Sequence, residues 1–206
     1  MKTGLASLFL GFMFTSMVLA ENVHDLQAAP DVLLKSRMDK IMTVLKQKEL
    51  DPNVVAAKVE KIITPLFDFD VMAKLAIRAH LKNMSAKQKT RYQTLFVKYL
   101  KKSYRSKLTL YSDEEVEYKD PVVTRPTLIQ IPTEFVSKAK TIEVIYYFRK
   151  TKGLWKIYNV YIQGIGLIES YRSQFNEVIQ KDGLDALLDQ LENSQPKESA
   201  LNSPSK

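Results

Sequence analysis

The spacing of apolar residues divides the chain into two kinds of pattern. Between residues 30 and 111, apolar side chains recur at steps of three and four, which predicts amphipathic helices. Between residues 115 and 166 they form β-branched and aromatic runs broken by proline and lysine, which predicts strands. Helical spacing returns from 167 to 192. Helices followed by consecutive strands are typical of an α+β fold.

Local motifs predict where the N-terminal helices begin. Asp51-Pro52 combines an N-cap residue with a proline at the first helical position. Asp68 suits the N-cap of the next helix, and Ser85 with Gln88 forms a capping box before the longest helix. The predicted helices are Asp31 to about Leu50, Asp51-Pro52 to Pro65, a helix that opens at Asp68, and Ala86 to about Tyr111.

The second half of the chain predicts an antiparallel meander. Lys152-Gly153 is typical of a hairpin turn, and strands joined by such short loops pair antiparallel. Two further helices are predicted on either side of Gly183, which suits a left-handed cap. The predicted strands are Val116–Lys119, Thr127–Ile131 with an extension through Val136, Thr141–Lys150 and Leu154–Gly164, and the helices are Leu167–Lys181 and Leu184–Glu192.

The two ends of the chain differ in composition from the part between them. Residues 1–20 carry Lys2, an uncharged apolar run and then Val18-Leu19-Ala20, which is the pattern of a cleaved secretory signal peptide. We therefore expect export of the chain and a single domain from 21 to 193. Residues 194–206 are polar and contain serine and proline, which predicts a disordered tail.

Composition argues against an enzyme. The chain has no cysteine and only two histidines, His24 and His80, which excludes thiol chemistry and a histidine-rich metal site. His80 is expected on an exposed helix face. No nucleophile elbow, P-loop or dinucleotide fingerprint occurs, so we expect no catalysis, metal or cofactor. The formal net charge of +8 fits a solvated surface, or attraction to anionic partners such as lipid headgroups.

The two long predicted strands carry more apolar surface than one dry face needs. Alternate residues of a strand share a face, so the first strand has one face made of Ile142, Val144, Tyr146 and Phe148. By the same count, Tyr158, Val160 and Ile162 share one face of the next strand, while Trp155 and Ile157 lie on the other. Helices covering both sides of the sheet would explain this pattern, and so would a curved sheet around a cavity. Tyrosines suit the mouth of a pocket for an amphiphile.

Three segments of the chain form a recognisable set. They are FDFDVMAKLAI (67–77), SAKQKTRYQTLFVKYLKKSYRSKL (85–108) and GLWKIYNVYIQGIGLIESYRSQFNEVIQKDGLDALLDQL (153–191). In this order they resemble the MlaC family of periplasmic phospholipid-shuttle proteins, also described as toluene-tolerance or ABC-transporter auxiliary proteins. The chain departs from the family's usual Asp, Glu and Ser, because it has Asn159, Gln163 and Gly166 at those positions.

The resemblance implies a helical lobe packed on a curved, roughly four-stranded antiparallel sheet, an NTF2-like cone with an apolar cavity between the two. It implies a bound phospholipid as cargo, carried in the periplasm of a Gram-negative bacterium to maintain outer-membrane lipid asymmetry. It also implies docking of a monomer to an outer-membrane lipoprotein–porin complex and to an inner-membrane ABC transporter with MCE domains, and no contact with nucleic acid. A periplasmic adaptor without lipid cargo, or a carrier of another lipid such as a hopanoid, stays open as an alternative.

The resemblance and the face count together predict the lining of the cavity. The predicted lining residues are Met72, Leu75, Tyr104, Leu108, Tyr111, Ile129, Val144, Tyr146, Phe148, Val160, Ile162 and Ile165. Lys107 and Arg149 are predicted at the rim, where a cation would meet the phosphate. For each lining residue, plain core packing is an alternative of equal standing.

Overall fold

The computed structural model describes residues 28–47, 49–105, 115–138 and 140–193. The predicted signal peptide, the predicted tail and the site candidates Lys107, Leu108 and Tyr111 lie outside the described residues. Tyr104 falls within the last turn of the longest helix.

Within these residues the structure has six α-helices and two short 3₁₀ turns. The helices are α1 Pro30–Leu45, α2 Pro52–Ile63, α3 Phe69–Ala76, α4 Ala86–Arg105, α5 Leu167–Asp182 and α6 Leu184–Asn193. The 3₁₀ turns are Thr64–Leu66, directly after α2, and Leu81–Asn83, before α4.

The predicted helix starts are confirmed by their capping hydrogen bonds. The Asp51 side chain accepts from the backbone N–H of Asn53 at 2.8 Å, and Asp68 accepts from Val71 at 3.2 Å. Ser85 and Gln88 form the reciprocal capping box. The prediction that α1 reaches Leu50 is wrong, because α1 ends at Leu45. The chain then forms a turn, and Asp51 directly after it has the non-helical backbone conformation of the N-cap of α2.

The strands form one antiparallel sheet, which confirms the α+β class. The strands are β1 Glu115–Tyr118, β2 Val122–Arg125, β3 Leu128–Val136, β4 Thr141–Thr151, β5 Leu154–Ile162 and β6 Ile165–Gly166. Their order is β1-β3-β4-β5-β6, and β2 also pairs with β3 beside β1. The described sheet therefore has six strands where about four were predicted, because the short β2 and β6 lack the run of alternating residues that marks a strand.

A bulge in β5 overturns one predicted face. Tyr147 pairs with Asn159 and Phe148 pairs with Ile157, so Tyr158 has no partner of its own on β4. One extra residue moves every later side chain of a strand to the opposite face. The prediction that Tyr158 shares a face with Val160 is therefore wrong, and Ile157 takes that place.

Buried apolar residues form two main clusters. The helical cluster joins α3, α4, α5 and α6, and its fully buried members include Met72, Ala76, Phe96, Ile168 and Leu187. The second cluster lies between α1 and the sheet. A smaller cluster packs the C-terminal half of α1 on α2 through Ile41, Leu45, Val55 and Val59. Phe67, which bridges in parallel to Ile157 of β5, contacts both main clusters and so links them.

Candidate functional site

The side of the sheet that α1 covers carries a broad apolar surface, which we call the α1 face. It consists of alternate residues from four strands. In β5 the alternation is interrupted at the Tyr158 bulge, so that Ile157 before the bulge and Val160 after it both lie on this face. Its members are Val116 and Tyr118 of β1; Ile129, Ile131, Thr133 and Phe135 of β3; Ile142, Val144, Tyr146 and Phe148 of β4; and Trp155, Ile157, Val160 and Ile162 of β5.

Cross-strand register arranges this surface in rows. Ile131, Tyr146 and Val160 are directly opposite one another on β3, β4 and β5. The next row runs from Tyr118 through Thr133 and Val144 to Ile162. Side chains directly opposite on neighbouring strands are close enough to contact, so each row is a continuous apolar band.

The α1 helix covers only part of this surface. Leu33, Leu34 and Met38 of α1 pack on the sheet, and under this cover Ile131 and Phe148 are 1% and 0% exposed. Other members of the face keep part of their surface open, and these include Val116, Tyr118, Ile129, Phe135, Ile142, Tyr146 and Ile162. A partly open apolar surface of this kind can still bury a further apolar partner.

Two tyrosines place phenol groups on this otherwise apolar surface. The Oη atom of Tyr118 is buried and has no hydrogen-bond partner among the described residues. Burial raises the pKa of Tyr118 to about 12, and the nearby charge of Asp39 adds to the effect. Burial also raises the pKa of Tyr146 above its ordinary value, and Tyr118 contributes further. Both phenols are therefore neutral hydrogen-bond donors at physiological pH.

The opposite side of β4 and β5, which we call the outer face, carries a different set of side chains. The rings of Tyr147 and Tyr161 lie 4.9 Å apart, and Tyr158 meets Tyr147 edge-on at 6.2 Å. Arg149 shares this face, and its Nη1 lies 4.0 Å from Oδ2 of Asp68. The structure thus does not bring Arg149 to the α1 face, where it was predicted to form a rim.

Asn159 and Gly166, two of the three positions where the chain differs from the pattern of the family it resembles, lie together at the start of α5. Asn159 is buried, and its Oδ1 accepts from the backbone N–H of Ile168 at 3.2 Å. Its Nδ2 donates to Oε2 of Glu169 at 2.9 Å. A Cβ at Gly166 would lie 2.1 Å from that same Oε2, so the absence of a side chain leaves room for the Glu169 carboxylate. Gln163 instead donates to the carbonyl of Thr141 at 3.0 Å in the exposed turn after β5.

The predicted lining residues fall into separate places. The α1 face holds Ile129, Val144, Tyr146, Phe148, Val160 and Ile162. Ile165 is opposite Ile162 and is 40% exposed. Met72 and Leu75 lie in the helical cluster, so the structure does not bring them together with the sheet residues.

Sequence reasoning missed several residues of the α1 face and its cover. Leu33, Leu34 and Met38 fit the apolar spacing of a helix, but that spacing does not reveal which surface the helix packs against. Tyr118 ends a short strand that offers too few residues for a face count. Arg37, on the same helix, is a charged side chain that is only 4% exposed. Nothing in the spacing of the sequence indicates that this arginine is buried, because charged residues are usually exposed.

The described residues offer little for metal binding or membrane insertion. No group of three or more His, Asp or Glu side chains in the described ranges could hold a metal ion. His80 lies in a turn, where its Nε2 is 2.8 Å from Oδ1 of Asn176, so the expected exposed helix face is wrong. Among the helices of the described ranges, none combines the length and the apolar character needed to cross a membrane.

Comparison with known proteins gives sequence relatives along most of the chain. The family model described as MlaC protein matches residues 35–193. The intermembrane phospholipid transport system binding protein MlaC of Haemophilus influenzae is 21% identical over 201 residues, which cover 93% of this chain and 91% of that protein. Toluene tolerance protein ttg2D of Pseudomonas putida is 23% identical over 212 residues, which cover 100% of this chain and 97% of that protein.

A solved structure shares the fold. The phospholipid-binding protein of Ralstonia solanacearum, solved in complex with a phospholipid, matches with a TM-score of 0.71 at 23% identity. The match covers 80% of this chain and 96% of that chain. Because the family model spans every described element from within α1 to the end of α6, this chain belongs to the MlaC family.

Proposed function

We propose that this protein binds a phospholipid with its acyl tails against the α1 face and carries it between membranes. The observation that carries the proposal is the apolar surface itself, which α1 covers only in part and of which several side chains stay partly open. The similarity to a phospholipid transport protein and to a protein solved in complex with a phospholipid supports the same cargo.

The energetics of the cargo fit such a surface. Each CH₂ group of an acyl chain gains about 0.8 kcal/mol on leaving water, so a tail leaves a membrane only if another apolar phase receives it. The rows of aliphatic and aromatic side chains on β3, β4 and β5 provide that phase. Transfer of an intact lipid requires no bond to be made or broken, so the proposal includes no catalysis.

The setting of this transport is also part of the proposal. The apolar N-terminal run and its small-residue end support export through a cleaved signal peptide to the periplasm of a Gram-negative bacterium. Family membership supports docking to an outer-membrane lipoprotein–porin complex and to an inner-membrane ABC transporter with MCE domains. In this setting the protein would help to keep the two leaflets of the outer membrane different in lipid composition.

The direct test is lipid extraction and mass spectrometry of the purified protein. We expect co-purifying phospholipid at near-stoichiometric amount, and uptake of phospholipid from vesicles by protein that has been delipidated. Protein that carries no lipid and takes up none would contradict the proposal and favour a docking adaptor without cargo. A hopanoid in place of phospholipid would keep the carrier role and change the cargo.

Two matched tryptophan variants test the location of the site. Ile162→Trp adds bulk to an open part of the α1 face and should block lipid uptake. Ile145→Trp makes the same change on the outer face and should leave uptake unchanged, because Ile145 faces away from the proposed tails. Circular dichroism confirms that both variants fold. Equal uptake by the two variants would place the lipid elsewhere.

A further inference from the structure

The α1 face contains a buried polar atom that makes no hydrogen bond with the described residues. Tyr118 ends β1, opposite Thr133, and its Oη is buried without a hydrogen-bond partner among the described residues. Thr133 does not share this deficit, because its Oγ1 donates to the carbonyl of Val144 at 2.9 Å. A buried hydroxyl without a partner weakens a fold, so such a group in a native protein calls for an explanation.

A second phenol lies close to the first. Tyr146 is one strand further into the sheet than Thr133 and one row away from Tyr118, so the two side chains are near neighbours on the same face. Tyr146 keeps part of its surface open, so a ligand can approach the pair from the Tyr146 side. The two side chains thus present neutral O–H donors at one place on an apolar surface.

The surroundings decide which acceptor fits this pair. Tyr118 lies where the apolar face gives way to Lys119 and Asp120, both of which are exposed. The Asp39 carboxylate acts on the same phenol, and its negative charge opposes a phosphate group but not a neutral carbonyl. In a diacyl lipid the ester carbonyls lie between the apolar tails and the charged headgroup, which is the same boundary.

We propose that the hydroxyls of Tyr118 and Tyr146 donate hydrogen bonds to ester carbonyls of the bound lipid, so that the site prefers acyl-ester lipids over alkyl-ether lipids. The inference rests on the proposed function, since it concerns the same α1 face. It adds a specificity that tail burial alone does not provide, because an ester and an ether lipid of equal chain length bury the same tails.

The test is a competition between two lipids with one headgroup. Delipidated protein is mixed with vesicles containing equal amounts of diacyl phosphatidylglycerol and its dialkyl ether analogue, and the lipid retained on the protein is quantified by mass spectrometry. We expect the wild-type protein to retain the ester lipid in about threefold to tenfold excess, the factor that one net hydrogen bond provides. Equal retention of the two lipids would overturn the inference while leaving lipid carriage intact.

Phenylalanine variants assign the preference to the two hydroxyls. Tyr118→Phe and Tyr146→Phe keep the ring and remove the donor, so each should reduce the ester preference, and the double variant should abolish it while binding the ether lipid as before. Tyr158→Phe on the outer face is the matched control and should keep the full preference. A full ester preference in the double variant would also overturn the inference. Retention of neither lipid by the wild-type protein would overturn both proposals together.

Discussion

The helical cluster and the α1 face are both apolar, but they differ in how completely their side chains are buried and hydrogen-bonded. In the helical cluster Phe96 and Tyr171 meet edge-on at 5.8 Å, and Tyr171 stacks on Phe175 at 5.5 Å. Tyr92, buried there, donates its hydroxyl to the carbonyl of Ala73 at 3.1 Å. On the α1 face, Tyr146 and Ile162 keep open surface and the Oη of Tyr118 has no described partner.

This difference separates a core that is complete by itself from a surface suited to an additional partner. Every group of the helical cluster named above has its contact within the chain, so nothing is gained there by binding a ligand. On the α1 face, the proposed lipid would supply the missing apolar contacts and an acceptor for the Tyr118 hydroxyl. We therefore expect stability to depend mainly on the helical cluster and lipid binding on the α1 face, and three experiments test this expectation.

The largest expected effect comes from removing a ring of the helical cluster. Phe96→Ala should lower the free energy of unfolding by about 3–5 kcal/mol, because Phe96 is fully buried among three aromatic neighbours and leaves a cavity. Ile162→Ala on the α1 face should cost about 1 kcal/mol, because part of that side chain is already exposed. Urea denaturation measures both values. Similar losses at the two positions would mean that the α1 face is an ordinary core.

An intermediate effect is expected at the junction of the two regions. Asn159→Asp replaces the donor that faces Glu169 Oε2 at 2.9 Å with a carboxylate, so a buried negative charge is placed beside the partly exposed Glu169 carboxylate. The free energy of unfolding at neutral pH should fall by about 1–3 kcal/mol. Glu169→Gln in the same chain should restore most of the loss, since the amide again supplies a donor.

The control for this junction is Gln163, which lies close to it in the chain but in the exposed turn after β5. Gln163→Glu also introduces a carboxylate, but in an exposed turn, so its effect should stay within about 0.5 kcal/mol. Thermal unfolding of the wild type, Asn159→Asp, Glu169→Gln and the double variant forms a double-mutant cycle, and Gln163→Glu is the fifth chain that serves as the control. The coupling of Asn159 with Glu169 would be refuted by additive effects of the two substitutions.

The smallest expected effect compares two buried hydroxyls. Tyr92→Phe removes a hydroxyl that donates to Ala73 and should cost about 1 kcal/mol, because the carbonyl loses its donor. Tyr118→Phe removes a hydroxyl without a described partner and should leave the lipid-free protein unchanged or slightly more stable. The melting temperatures of the delipidated wild-type protein and of the two variants measure the cost of each lost hydroxyl. A clear loss on Tyr118→Phe would show that this phenol has a structural partner.

Much of the architecture could be predicted because it depends on neighbours in the chain. The caps at Asp51, Asp68 and Ser85 and the turn at Lys152-Gly153 are local, and each formed where its motif lies. The α+β class followed from spacing alone. By contrast, nothing in the sequence around Tyr158 predicts a bulge, because a bulge is a property of the pairing of β5 with β4, which are held in register by contacts across the sheet.

The candidate site was predictable only in part, for the same reason. Six of the predicted lining residues lie together on the α1 face, since strand alternation places them there. Met72 has the same apolar character but lies in the helical cluster, because the direction of α3 is decided by its packing on α4 and α5. Residue type identifies a buried position, but it does not say in which cluster the position lies.

The helices, the long strands, the family and the excess of apolar surface on β4 and β5 could all be predicted from the order of the residues. These follow from spacing and side-chain chemistry, which act over a few residues. Three further features appear only in the folded chain: α1 leaves part of the sheet open, Arg149 lies toward Asp68, and Tyr118 and Tyr146 share one face. Those outcomes depend on register, on one bulge and on packing between distant segments, and such contacts leave no periodic trace in the chain.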